Sequence, residues 1–131
     1  MNPITRLLFL EIGPDRSGTE LLRRMEELGA RITLEGDSRW RFHYEDDDEI
    51  SGHIYISDAG EVTSISLALG IESDRPGWEG WSEKNEALRL KRQEEWLRAR
   101  SLGNKGSGQG RILNHYSPQS GGSEISIHFG E

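Results

Sequence analysis

Apolar and polar residues alternate with period two along much of this chain, and that alternation constrains the fold more than any other feature. Arg39 to Tyr44 points Trp40, Phe42 and Tyr44 one way, Ser51 to Ser57 does the same with Ile54 and Ile56, and Val62 to Ile71 with Ile65, Leu67, Leu69 and Ile71. Arg111 to Tyr116 and Ser123 to Phe129 repeat it. If the turn between them pairs Tyr116 with Ser123, then Ile112, Tyr116, Ile125, Ile127 and Phe129 share a face, and Arg111, Leu113, His115, Glu124, Ser126 and His128 share the other. Strands patterned this way bury one face and leave the other wet. Gly36 and Gly60 stand where short hairpin turns need them, and Gly121-Gly122 supplies positive φ angles in the last turn. Arg31 to Glu35 adds a shorter strand ahead of the first hairpin.

Two segments read as helices. Ser17-Gly-Thr-Glu20 is a capping box, with the serine bonding forward and the glutamate back. Leu21, Leu22, Met25 and Leu28 follow as a single stripe, and Gly29 ends it. Ser82 caps a longer, charged helix that stops at Gly103. Its apolar residues fall in two arcs, one with Ala87, Leu90 and Leu97, the other with Leu88, Trp96, Ala99 and Leu102. A helix on a core normally shows one stripe, so the break predicts that one arc packs on the sheet while Trp96 covers an edge or stays exposed. Near the start, Leu7-Leu8-Phe9-Leu10 is a continuous apolar run without alternation, which predicts a buried strand over Thr5 to Ile12.

The expected order is therefore β-α-β-β-β-β-α-β-β over 131 residues in a single domain. That is an α+β fold, a mostly antiparallel sheet with two helices packed on one face and the other face open to a partner.

Charge narrows the partners. A formal net charge of −7 argues against nucleic acid, whose binding needs clustered cations, and favours a basic protein partner. With no cysteine there is no thiolate metal site, cysteine nucleophile or disulfide. The apolar run at Leu7 is too short for a secretory signal and no segment could span a membrane, so a cytoplasmic location is expected.

Candidate contact residues come from two places. Glu45-Asp46-Asp47-Asp48-Glu49 lacks the ligand spacing of a calcium loop; it reads either as a solvated turn or as an acidic knob that steers a basic partner. Trp78, Glu79 and Trp81 form a glycine-flanked loop that could lid the core or present an anchor. His43 and His53 across one hairpin, and His115 and His128 on the polar face of another, could join a carboxylate around a metal, although no metal or cofactor is expected. No nucleophile stands beside His115 and Glu124, so catalysis is not expected either. Gly103-Asn-Lys-Gly-Ser-Gly-Gln-Gly110 has the composition of a phosphate cradle in the wrong context, following a helix and entering a strand.

The tail Gly110-Arg-Ile-Leu-Asn-His-Tyr-Ser-Pro-Gln-Ser-Gly-Gly-Ser-Glu-Ile-Ser-Ile, after a charged helix ending in Leu-Gly, resembles small bacterial immunity proteins of interbacterial toxin systems, including those of type VI secretion. In that pattern the tail reads Trp-Gly-x-Ile, an aromatic, Asp-Pro-Arg, a small-residue turn and Ile-x-Ile. Here Gln109 stands in place of the Trp and Ser117-Pro118-Gln119 in place of Asp-Pro-Arg, and the likeness is confined to the last third of the chain. The resemblance implies a protein that binds a cognate toxin domain and occludes its active site. Asp46, Asp47, Asp48 and Glu49 would then steer and Trp78, Glu79 and Trp81 make contact. The alternatives are a small-molecule or metal-binding domain using the histidine-bearing face, and an adaptor or chaperone that loads an effector without blocking it.

Overall fold

The computed structural model describes residues 2–12, 15–46, 48–70, 83–102, 110–117 and 122–129. Over these the α+β expectation holds: a six-stranded antiparallel sheet and three helices. The strands are β1 (Arg31–Leu34), β2 (Arg39–Glu45), β3 (Glu49–Ile56), β4 (Val62–Leu69), β5 (Arg111–Ser117) and β6 (Gly122–His128), in spatial order β1-β2-β3-β4-β6-β5. Tyr116 does pair with Ser123, the register on which the expected division of faces is conditional, and β6 rather than β5 lies against β4.

The chain's first element differs from expectation. Pro3–Leu10 is a helix, α1, not a strand. A continuous apolar run fits a buried helix as well as a buried strand, and here the flank decides. Asn2 caps the helix by accepting the Thr5 N–H at 2.8 Å, and Pro3 occupies the first turn, where its missing donor costs nothing. Ile4, Leu7, Leu8 and Phe9 face inward and Leu10 stays 45% exposed. In α2 (Gly18–Glu27), Ser17 Oγ accepts the Glu20 N–H at 3.2 Å. The Glu20 carboxylate turns to Arg23 instead of back to the cap. Leu21 and Met25 are buried, and Gly29 at φ +100° ends the helix as a glycine is suited to do.

All three helices contribute to one apolar core with the inner face of the sheet: Phe42, Ile54, Ile65, Leu67, Ile112 and Ile125 meet Leu7, Met25 and Leu97. Val62 and Ile65 both point into it although they are three residues apart. A register irregularity opposite Tyr55 and Ile56 absorbs the odd residue. Gly52 leaves no room for a side chain between β3 and β4: a Cβ there would lie 1.9 Å from the Ser66 carbonyl oxygen.

Helix α3 (Glu83–Ala99) crosses β4, β6 and β5 and faces the sheet with a seam that is half polar: Glu86, Gln93, Trp96 and Leu97 are buried, and Leu88 is 46% exposed. Trp96 therefore does not stay outside. Its ring lies 5.8 Å from that of Phe9 in α1 and is only 3% exposed.

Candidate functional site

With the described helices on one face of the sheet, no described element covers the other, and its register arranges the side chains in rows across the strands. Arg31, His43, Ser51 and Ala68 form one row; Thr33, Arg41, His53, Ser66, Ser126 and Leu113 form the next; Arg39, Tyr55, Ser64, His128 and Arg111 form a third. On this face β4 carries Ser64, Ser66 and Ala68, flanked by Ser51 of β3 and Ser126 of β6, whereas β2 carries Arg39, Arg41 and His43 and β5 carries Arg111, Leu113 and His115. The result is a trough with a floor of serine hydroxyls and walls of arginine and histidine. Two depressions, of about 370 and 470 Å³, lie along it and share Arg41 and Ser51.

The far end of the trough is shaped by α3. Strands β4 and β6 pair only from Ser64–His128 to Leu67–Ile125 and then part. Backbone groups exposed by that split would be costly if left unpaired, and polar side chains of α3 take them. Gln93 Oε1 accepts the Leu69 N–H at 3.1 Å, Arg89 donates to the Leu69 carbonyl, and Glu86 Oε1 accepts the Ser123 N–H at 2.7 Å. Gln93 Nε2 also donates to Asn114 Oδ1 at 2.9 Å, and Asn114 Nδ2 to the Leu90 carbonyl at 2.9 Å. Glu86 and Arg89 thus line the same depression as Ser51, His53 and Ser66.

The carboxylates of the acidic turn are divided. Asp46 and Glu49 are exposed at the hairpin tip, with the Tyr44 hydroxyl donating to Asp46 at 3.4 Å. Asp47 lies outside the described residues. Asp48 turns inward and is 9% exposed. It accepts from Arg92 at 2.9 Å, from Trp96 Nε1 at 3.0 Å and from Arg100 at 3.1 Å, while the Arg100 guanidinium stacks 4.4 Å from the Trp96 ring. With three donors already on it and only 9% of it exposed, the carboxylate offers a partner little, so Asp48 fastens the hairpin to α3 rather than steering association. The Arg92, Trp96, Arg100 spacing, one residue per helical turn, was the available signal for that arrangement. Trp78, Glu79, Trp81 and nearly all of the glycine loop lie outside the described residues.

All four histidines are on the open face. His53 Nε2 is 3.0 Å from Glu35, which also receives Arg39 and Arg41 through their Nε atoms at 3.4 and 3.3 Å. His115 Nε2 is 2.9 Å from Ser126 Oγ and 3.8 Å from Glu124. His43 is 3.8 Å from Glu45, and with Glu49 these place one imidazole and two carboxylates within 4.8 Å of one another. That donor set suits a divalent cation in kind, but it sits at a solvated hairpin end and the carboxylates are exposed.

Comparison with protein-family models, with curated proteins and with solved structures returned no match. No helix among the described residues is long and apolar enough to cross a membrane.

Proposed function

We propose that this chain is a protein-binding module that docks its partner on the open sheet face, and within that class an immunity protein that neutralises a cognate toxin in the cytoplasm by covering its active site. The trough is the observation that carries the reading. A six-stranded sheet backed by an apolar core on one side presents on the other a polar, shaped surface that no described helix covers. Rigid strands hold that surface in place, so little ordering entropy is lost on docking. The net charge of −7 favours encounter with a basic domain, and Asp46, Glu45 and Glu49 put acid at one end of the trough. Trp78, Glu79 and Trp81 remain contact candidates on sequence grounds, the two tryptophans as aromatic anchors. The likeness of the tail to immunity proteins supplies the toxin as the partner.

Co-expression with a candidate toxin, such as one encoded by the neighbouring gene, tests this directly. Rescue of growth by the wild-type chain is expected. Ser66→Arg fills the trough floor and should abolish both rescue and binding without changing the melting temperature. Leu88→Arg, on the exposed side of α3, should leave both intact. The reverse pattern would move the interface to the helical side, and a stable complex in which the toxin stays active would mark an adaptor instead.

A further inference from the structure

The depression of about 470 Å³ between β1, β2 and β3 is lined by Arg31, Thr33, Arg41, His43 and Ser51 around the backbone of Phe42. We propose that it is a binding site for a tetrahedral oxyanion, and specifically for the phosphate group of a small phosphorylated ligand. Four observations support the assignment.

First, the donors converge. Arg31 and His43 face each other across β1 and β2, Thr33 and Arg41 face each other one row along, and Ser51 stands beside His43 on β3. Second, the donors are available. The Arg31 guanidinium and the Thr33 and Ser51 hydroxyls have no partner among the described residues. Arg41 is exposed and pairs with Glu35, its Nε 3.3 Å from the carboxylate, without a side-chain hydrogen bond among the described residues. Third, two guanidiniums, an imidazole and two hydroxyls approach from three strands. A planar carboxylate offers two oxygens and suits one forked arginine; a phosphate has oxygens in several directions and can accept from all of these groups. Fourth, the depression is larger than a bare phosphate requires, which leaves room for an esterified group.

The net charge of −7 does not prevent this. At ordinary ionic strength, charges more than about 8–10 Å away are largely screened, so the local guanidiniums set the potential. The nearest carboxylates are Glu35, which is held by Arg39, Arg41 and His53, and the exposed Glu45 and Glu49, both within 4.8 Å of the His43 imidazole, so Arg31 and Arg41 supply the site's positive charge. The site does not depend on the docking proposal: it can bind a small ligand whether or not a protein covers the trough.

The test uses the full chain, isotopically labelled, with inorganic phosphate, phenyl phosphate and acetate titrated at constant ionic strength. Saturable shifts centred on Arg31, Thr33, Arg41, His43 and Ser51 are expected with both phosphates, with a Kd on the order of 1 mM for a solvent-open site. Tighter binding of phenyl phosphate is expected and would identify an ester as the ligand; equal affinity would keep the oxyanion site but overturn its assignment to a phosphorylated ligand. Acetate should bind at least tenfold more weakly. Arg31→Gln should weaken phosphate binding about tenfold, and Arg31→Gln with Arg41→Gln should abolish saturation. Both residues are exposed, so the fold should survive, and an unchanged far-UV spectrum would confirm it. Non-saturating shifts, equal response to acetate, or an unaltered Kd in the double variant would overturn the assignment.

Discussion

Asp48→Ala isolates the contact that ties the β2–β3 hairpin to α3, and its cost can be worked from the geometry. The carboxylate accepts three donors while 9% exposed. Removing it strands the Trp96 Nε1–H in a site where the ring is 3% exposed, a loss of about 1–3 kcal/mol for an unmet buried donor. Arg92 is 46% exposed and recovers water, so its ion pair contributes at most about 1 kcal/mol. Arg100 is 24% exposed, with its Nε already buried without a partner, and adds a similar amount. The sum is roughly 2–4 kcal/mol, and for a domain of this size it should lower the melting temperature by about 10 °C. Urea denaturation followed by circular dichroism would measure it, with Asp46→Ala as the control at the exposed position of the same turn. Asp48→Asn keeps an acceptor for Trp96 but no charge, and should lose about half as much. A double-mutant cycle with Trp96→Phe should return coupling of at least about 1 kcal/mol. If Asp48→Ala unfolds within about 0.5 kcal/mol of wild type, as surface substitutions do, the inward role of Asp48 is refuted.

Three other outcomes follow from the same structure. Gln93→Leu should destabilise by about 2–4 kcal/mol, because the Leu69 N–H loses its acceptor and Asn114 Oδ1 its donor, and hydrogen exchange at the Leu69 amide should accelerate; wild-type protection there would exclude the bridging role. Gly52→Ala should cost roughly 3 kcal/mol, since the new methyl meets backbone of β4 that cannot swing aside; a neutral thermal shift would show that the two strands are less close. Reversing charge at Asp46 and Glu49 should slow association with a basic partner and flatten its salt dependence while stability stays within about 0.5 kcal/mol of wild type. An unchanged on-rate at low salt would remove the turn from the encounter.

Much of the sheet was legible because its inner and outer faces differ in chemistry at every second residue. Trp40, Phe42 and Tyr44 could only face one way, and the faces of the last hairpin followed once Tyr116 was set opposite Ser123, as it is. The first helix was not legible from its apolar run, since Leu7 to Leu10 has no period; Asn2 and Pro3 carried the information as a cap and a first-turn proline. The inner side of α3 was hidden for a different reason. Searching for an apolar stripe discards Glu86 and Gln93, yet these face the sheet because β4 and β6 part beneath them and polar backbone needs polar partners. Within the acidic turn, no property of a single residue distinguishes Asp48 from its neighbours. Only the complementary stripe on α3, forty-odd residues away, selects it.

These contacts also connect the two faces of the molecule. An antiparallel sheet whose strands stayed paired to the end would present a flatter outer surface; here the ladder between β4 and β6 stops early and α3 fills the gap from behind. Glu86 and Arg89 consequently reach the floor of a trough whose walls belong to β1 and β2. Replacing that polar seam with leucines would be the obvious way to build a more apolar core, yet it would leave the parted strands with unmet N–H and C=O groups. The seam is therefore best understood as what allows the sheet to open at one end while remaining satisfied, so that the shape of the outer face is set by side chains that pack from the inner one.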